Sequence, residues 1–311
     1  MTVETEGMTT APKLPNPGSA PYGLHLVLSW IRGSGGKRGN VGIILAGVVG
    51  AIFVLTAVFG GYISPHSPSA ANFATPLLPP FWQKGGSAAY LLGSDQLGRD
   101  ILSRLIAGAQ ISLLCAGAAI FVAGIGGTFI GLLAGYMGGA VGAVIMRVVD
   151  AFLALPFILM ALAFVAALGP GLGNIILVLI FTNWARYARI VQSEVITIKE
   201  RDYVTLARLA GVSPFRIALR HVLPNAMHSV AVLAVLDSGR VIILESSLSF
   251  LGLGIQPPNV SWGLMLADGR EYMHHAWWMT TLPGLTIVVA VLTFNTIGEW
   301  LKEHFDPRSQ L

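Results

Sequence analysis

From Val41 to Ile63 the chain carries no charged side chain. A bilayer core is crossed by about 20 apolar residues in helical form, and this run supplies them without interruption. Over the whole sequence 54% of residues are hydrophobic and only 11% are charged, which is too little polar surface to cover a water-soluble globule of this size. The chain therefore reads as an integral membrane protein.

Five further runs complete the pattern. Ile111 to Tyr136 is the second span. The third, Val141 to Leu168, carries Arg147 and Asp150 near its start and Pro156 inside. The fourth runs from Leu172 to Ile190 and continues as a polar helix towards Lys199, and the fifth, Met227 to Leu253, holds Asp237, Arg240 and Glu245. Thr281 to Trp300 is the sixth. The expected fold is all-α with six transmembrane helices. It divides into a tail at 1–40, a first helix with a long outer loop at 41–110, and a core at 111–311 that includes a charged loop at 201–225.

Basic residues at span ends stay cytoplasmic. Lys13, Arg32, Lys37, Arg38, Arg186, Arg189, Lys199, Arg201, Arg208, Arg216, Arg220, Lys302 and Arg308 fall on one side, whereas Lys84, Arg99, Arg104 and Arg270 fall on the other. This asymmetry predicts that both termini and the 201–225 loop are inside. Basic residues placed at membrane flanks, without interleaved aromatics on one face, argue against nucleic acid as a partner. The lone Cys115 lies in an apolar run and excludes an intramolecular disulfide.

In the second span Gly127, Gly131 and Gly135 recur every four residues, a smooth ridge that another helix can approach closely, within the chain or from a second subunit. In the first outer segment, Ser94 or Asp95 is placed to cap a helix whose Leu97, Ile101, Leu105 and Ile106 share an apolar face. The second outer segment carries Trp262, Trp277 and Trp278, suited to an aromatic belt or to partner contact. Asp95, Arg99, Asp100 and Trp262 are the expected outer-face contacts.

The loop RDYVTLARLAGVSPFRIALRHVLPN, Arg201 to Asn225, interrupts the apolar pattern most strongly. It predicts a short helix ending near Gly211, a left-handed turn there, and a second helix from Ser213 and Pro214, where Ser caps and Pro suits the first position. Pro224 is expected to block simple continuation into the fifth span. The result is a rigid polar knob for a soluble partner.

These residues resemble the permease subunits of binding-protein-dependent ABC importers, whose cytoplasmic loop reads E-A-A-x-x-x-G and, nine positions on, I-x-L-P. Ala207, Gly211, Leu223 and Pro224 match at the same intervals, while Thr205 and Leu206 replace Glu and Ala and His221 replaces Ile. GSDQLGRDILSRLIAGAQISL from Gly93 and ESSLSFLGLGIQPPNVSWGLML from Glu245 are similar to stretches of the C-type permease of the dipeptide, oligopeptide and nickel branch.

The resemblance implies a bacterial inner-membrane subunit that pairs with a second, homologous permease. It also implies two cytoplasmic ATP-binding subunits on the coupling loop, and an extracytoplasmic binding protein that delivers solute, with a di- or oligopeptide the expected cargo and nickel, glutathione or haem the alternatives. Thr205, Ala207, Arg208, Gly211, Ser213, Arg216, His221, Leu223 and Pro224 are then the coupling residues. No cofactor is expected on this chain, with ATP and magnesium held by the ATPase subunits. Gly33 to Lys37 lacks the spacing of a phosphate loop, and Arg38 stands where Ser or Thr would bind magnesium.

Charges within spans are expensive unless paired or hydrated. Arg147 with Asp150, and Asp237 with Arg240, are three apart and read either as ion pairs or as lining of a solute path, with Glu245 rotated away near the outer end. Adjacent His274 and His275 cannot share the helical face of a metal pair. Two readings of other classes compete: an ion-coupled secondary transporter, and a membrane-embedded metallopeptidase.

Overall fold

A computed structural model describes residues 37–305, with side chains from Val41. The 1–40 tail up to Gly36, with Lys13 and Arg32, and Arg308 lie outside the described residues. The described residues from Ile43 onward form one compact unit, which holds every site considered below. Regular structure among the described residues is helical, with one isolated bridge between Ser94 and Asp100.

In order, α1 is Lys37–Ile63, α2 Ile101–Met137, α3 Gly139–Ala154, α4 Phe157–Leu168, α5 Leu172–Lys199 and α6 Asp202–Leu209. Next come α7 Pro214–Ile217, a π turn Ala218–Val222, α8 Leu223–Phe250, α9 Trp262–Gly269 and α10 Trp278–Phe305. Four segments are long and apolar enough to cross a bilayer: Val41–Ile63, α2, Pro214–Phe250 and α10. The bent pair α3 and α4 makes a fifth if counted as one span.

The expected third span is thus broken rather than continuous. Leu155 and Pro156 are extended, and α3 and α4 meet at 88°. Proline excludes its predecessor from helical geometry and donates no hydrogen bond itself. The expected fourth span exists as α5 with the predicted ends, but it is not among the segments apolar enough to cross a bilayer by composition.

Between the loop and α8, continuation is the reverse of the expectation. Pro224 does not stop the chain; it sits in the first turn of α8, just after the π turn, where the Leu223 amide reaches back to the Ala218 carbonyl. One widened turn makes room for the ring and asks no hydrogen bond of it. Pro214 to Phe250 consequently forms a single length of 37 residues.

The centre of the bundle is α2 laid along α5. Gly127, Gly131 and Gly135 face Trp184, Tyr187, Ala188, Val191, Gln192 and Val195, and a Cβ at Gly135 would stand 2.9 Å from both the Gln192 carbonyl and Val195. The ridge is filled from within the chain. Two apolar clusters follow this seam, one around Cys115, Val178, Leu179, Val241 and Trp262, the other around Tyr187, Val191, Val195, Val204, Ile217 and Val222. In contrast only 17% of the Val41–Ile63 window is buried, so α1 offers most of its apolar surface outward.

Candidate functional site

Two polar regions stand out, and they are built differently. The first is the 201–225 loop. The Gly211 amide donates to the Arg208 carbonyl at 3.1 Å and the Val212 amide to Ala207 at 3.1 Å, the paired bonds of a Schellman turn. Gly211 has φ +78°, and a Cβ there would meet nothing within 4 Å. Glycine is required for the backbone angle, not for space.

Val204, Ile217 and Val222 are fully buried and seat the knob on the Val195 and Ile198 end of α5. Arg208 and Arg216 lie on its exposed surface with Thr205 and Pro224, while Leu223 and Ala207 pack partly under it and His221 is half-buried. Ser213 has the extended backbone of a cap, yet its side chain makes no cap bond; the predicted Ser213 cap is corrected to a backbone role, with Pro214 opening the helix.

Sequence reasoning fixed on the arginines and missed the apolar crown. Leu206, Leu209 and Phe215 are 65%, 80% and 75% exposed on the same knob. Three large apolar side chains on a small polar element form a surface prepared for contact. The signal was available as leucines and a phenylalanine on the faces opposite the buried valine and isoleucine.

The second region joins 64–110 to 255–280. The expected cap at Ser94 or Asp95 is corrected: α2 starts at Ile101, and Asp100 accepts from the Ser103 amide at 2.9 Å and hydroxyl at 2.6 Å. Asp95 instead closes the turn before it, accepting from the amides of Leu97 and Arg99, each at 2.9 Å, and from Arg99 Nε at 2.6 Å. Arg104, 2% exposed, lies 3.5 Å from Asp95 and donates to Asp268 at 2.9 Å. Burial pushes the Asp268 carboxyl up, against the opposing pull of Arg104 and Arg99.

Two tryptophans fasten the region. Trp262 Nε1 donates to the Leu105 carbonyl and Trp278 Nε1 to that of Ser94, both at 3.0 Å. Asp95, Asp100 and Trp262 are all essentially buried, as is most of Arg99. The prediction that these four form an outer contact surface is corrected: they hold two loops together. A belt role is likewise wrong for Trp262 and Trp278, whose indole N–H groups are spent internally.

The charges inside the spans separate into three cases. Asp150 pairs with Arg189 of α5 and not with Arg147, which forms no ion pair among the described residues. Asp237 does pair with Arg240, at 3.1 Å, and also with Arg186 at 2.6 Å. Glu245 is fully buried and accepts from the hydroxyls of Ser112 at 3.0 Å and Ser249 at 2.8 Å. It is an internal fastening of α2 to the far end of α8, which removes it from any path lined by this chain alone.

Residues 127–310 match the family described as the binding-protein-dependent transport system inner membrane component. The Di/tripeptide transport system permease protein DppC of Pseudomonas aeruginosa is 44% identical over 257 residues, covering 83% of this chain and 85% of that protein. The dipeptide transport system permease protein DppC of Escherichia coli K12 is 42% identical over 269 residues, 86% and 90% of the two chains. That of Haemophilus influenzae is 37% identical over 265 residues, 84% and 90%.

The chain belongs to this family of inner-membrane transport components. It is a multi-pass permease subunit of a bacterial inner membrane and not an enzyme. Neither the metallopeptidase nor the ion-coupled transporter reading finds support in these relatives.

Proposed function

We propose that this chain is the C-type permease of an ATP-driven importer of di- and oligopeptides. It crosses the membrane six times, counting α3 with α4 as one span and α5 as another, with both termini and the 201–225 knob in the cytoplasm. A second, homologous permease completes the path, two ATP-binding subunits dock on the knobs, and an external binding protein delivers the peptide. ATP and magnesium belong to those subunits; this chain holds no cofactor.

The observation that carries the reading is the exposed Leu206, Leu209 and Phe215 crown on a knob made rigid by the Gly211 turn. An apolar surface of that kind on a charged membrane loop suits burial against a soluble partner. Because Pro214 to Phe250 is one continuous length, closure of an ATPase dimer pulling on the knob tilts α8, and the seam that α8 makes with α2 and α5 transmits the movement. The peptide assignment is supported by the cargo named for the relatives.

The test is reconstitution of the assembled complex in liposomes with its binding protein, measuring uptake of a labelled dipeptide and peptide-stimulated ATP hydrolysis. Uptake without ATP, or hydrolysis indifferent to loaded binding protein, would defeat the reading. Orientation is checked by a cysteine substituted at Phe73, 77% exposed where the native Cys115 is buried: an impermeant thiol reagent is expected to reach it only from the periplasmic side.

A further inference from the structure

Arg186 on α5 and Asp237 on α8, both helices of 28 residues, lie within the stretches Leu172 to Ile190 and Met227 to Leu253 read as spans, Arg186 towards the inner end. Asp237 is 1% exposed, and its Oδ1 receives both Arg186 Nη1 at 2.6 Å and Arg240 Nε at 3.1 Å. Arg240 also donates to the side-chain oxygen of buried Asn183. Two guanidiniums share one carboxylate, so one positive charge is left over.

The other carboxylates of these helices are engaged elsewhere, Glu194 by Ser229 and Glu245 by serines, while Asp150 of α3 is held by Arg189. The arginines themselves are 41% and 40% exposed. Arg186 Nη2 and Arg240 Nη1 have no partner among the described residues. A surplus cation at this depth is not stable against hydrocarbon, so the open side of the pair faces water or protein. Each guanidinium keeps an Nη group unfilled, and guanidinium N–H groups are strong donors to a carboxylate.

We propose that Arg186 and Arg240, oriented by Asp237 and Asn183, form a transient binding site for the α-carboxylate of the peptide as it crosses the membrane. The proposal rests on the peptide-import reading. A free C-terminus is ionised throughout the physiological range, and without a compensating charge it meets a steep desolvation barrier within the bilayer. Sharing Asp237 between two arginines keeps the site from binding too strongly: the carboxylate gains one net charge, not two, and can leave.

The experiment uses the whole complex in liposomes with wild-type chain, Arg186→Gln, Arg240→Gln and Arg186→Lys. Subunit composition, hydrolysis stimulated by loaded binding protein, and dipeptide uptake are measured on each. Expected for both glutamine variants are an intact complex and stimulated hydrolysis within about twofold of wild type, with uptake lowered about tenfold or more; the lysine variant falls between. Uptake within twofold of wild type overturns the proposal. So does loss of the second permease from the complex, which would make the arginines an interface pair, and so does a parallel loss of stimulated hydrolysis, which would assign them to coupling. Failure of the peptide reading is separately visible, as absence of dipeptide uptake by the wild-type complex, and the carboxylate assignment falls with it.

Discussion

The 201–225 knob and the cap made from 64–110 and 255–280 are both polar connections between apolar helices, and they solve opposite problems. In the cap, polar groups are buried and apolar ones are covered: Asp95, Asp100, Arg104, Trp262 and Trp278 all find partners inside the chain. In the knob the buried residues are only an anchor, and Leu206, Leu209 and Phe215 are left in the open. A region that satisfies itself is a structural part. A region that leaves apolar surface uncovered is finished by something else.

The sharpest way to break this comparison is to attack the cap's internal charge. Arg104→Ala leaves Asp95 without one of its cations and Asp268 without its nearest one, and should cost about 3–5 kcal/mol. It is expected to appear as a lowered unfolding temperature of the solubilised chain and as new protease cleavage within 64–100. A stability change under 1 kcal/mol would show that the cap is not held from within.

Phe215→Asp and Leu209→Asp probe the opposite property. Both sites are exposed, so stability should stay within about 0.5 kcal/mol, while removal of an apolar anchor from a contact weakens docking by about 2 kcal/mol, roughly thirtyfold. The readout is retention of the ATPase subunits during purification. Unfolding of these variants would mean that the crown is core and not surface.

Gly211→Val forces a β-branched residue to φ +78° and should cost about 1–2 kcal/mol of local strain. Membrane abundance is expected to be normal and peptide-stimulated hydrolysis reduced; normal stimulation would remove the knob from coupling. Thr205→Glu restores the acidic residue of the related loops at an exposed site and is expected to strengthen ATPase retention by up to about 1 kcal/mol. Smallest is Ser213→Ala, under about 0.5 kcal/mol, since that hydroxyl makes no cap bond; Asp100→Ala in the cap, where the carboxylate does, should cost about 1 kcal/mol or more.

Several of these properties were legible in the sequence because they are local. The Val41–Ile63 run, the ends of α5, the turn at Gly211 and Pro214 at the start of α7 follow from hydrophobic length, glycine's access to positive φ and proline's fixed angle. Each depends on residues within a turn or two of itself. The i,i+3 pairing of Asp237 with Arg240 was readable for the same reason, one helix repeat.

What the sequence did not contain is the partner across space. Asp150 has Arg147 one turn away and chooses Arg189 of α5; Asp237 takes a second arginine 51 positions back; Arg104 reaches Asp268, 164 residues on. Asp95, Asp100 and Trp262 looked like surface because each sits in a polar stretch, and packing of two distant loops is what buried them. The same holds for the knob, where amphipathic spacing gives the faces but only docking on α5 decides which apolar side chains are covered. Chain-local geometry fixed the elements, turns and spans; burial and charge pairing are sums over neighbours from remote positions, and the tertiary structure alone supplied those neighbours.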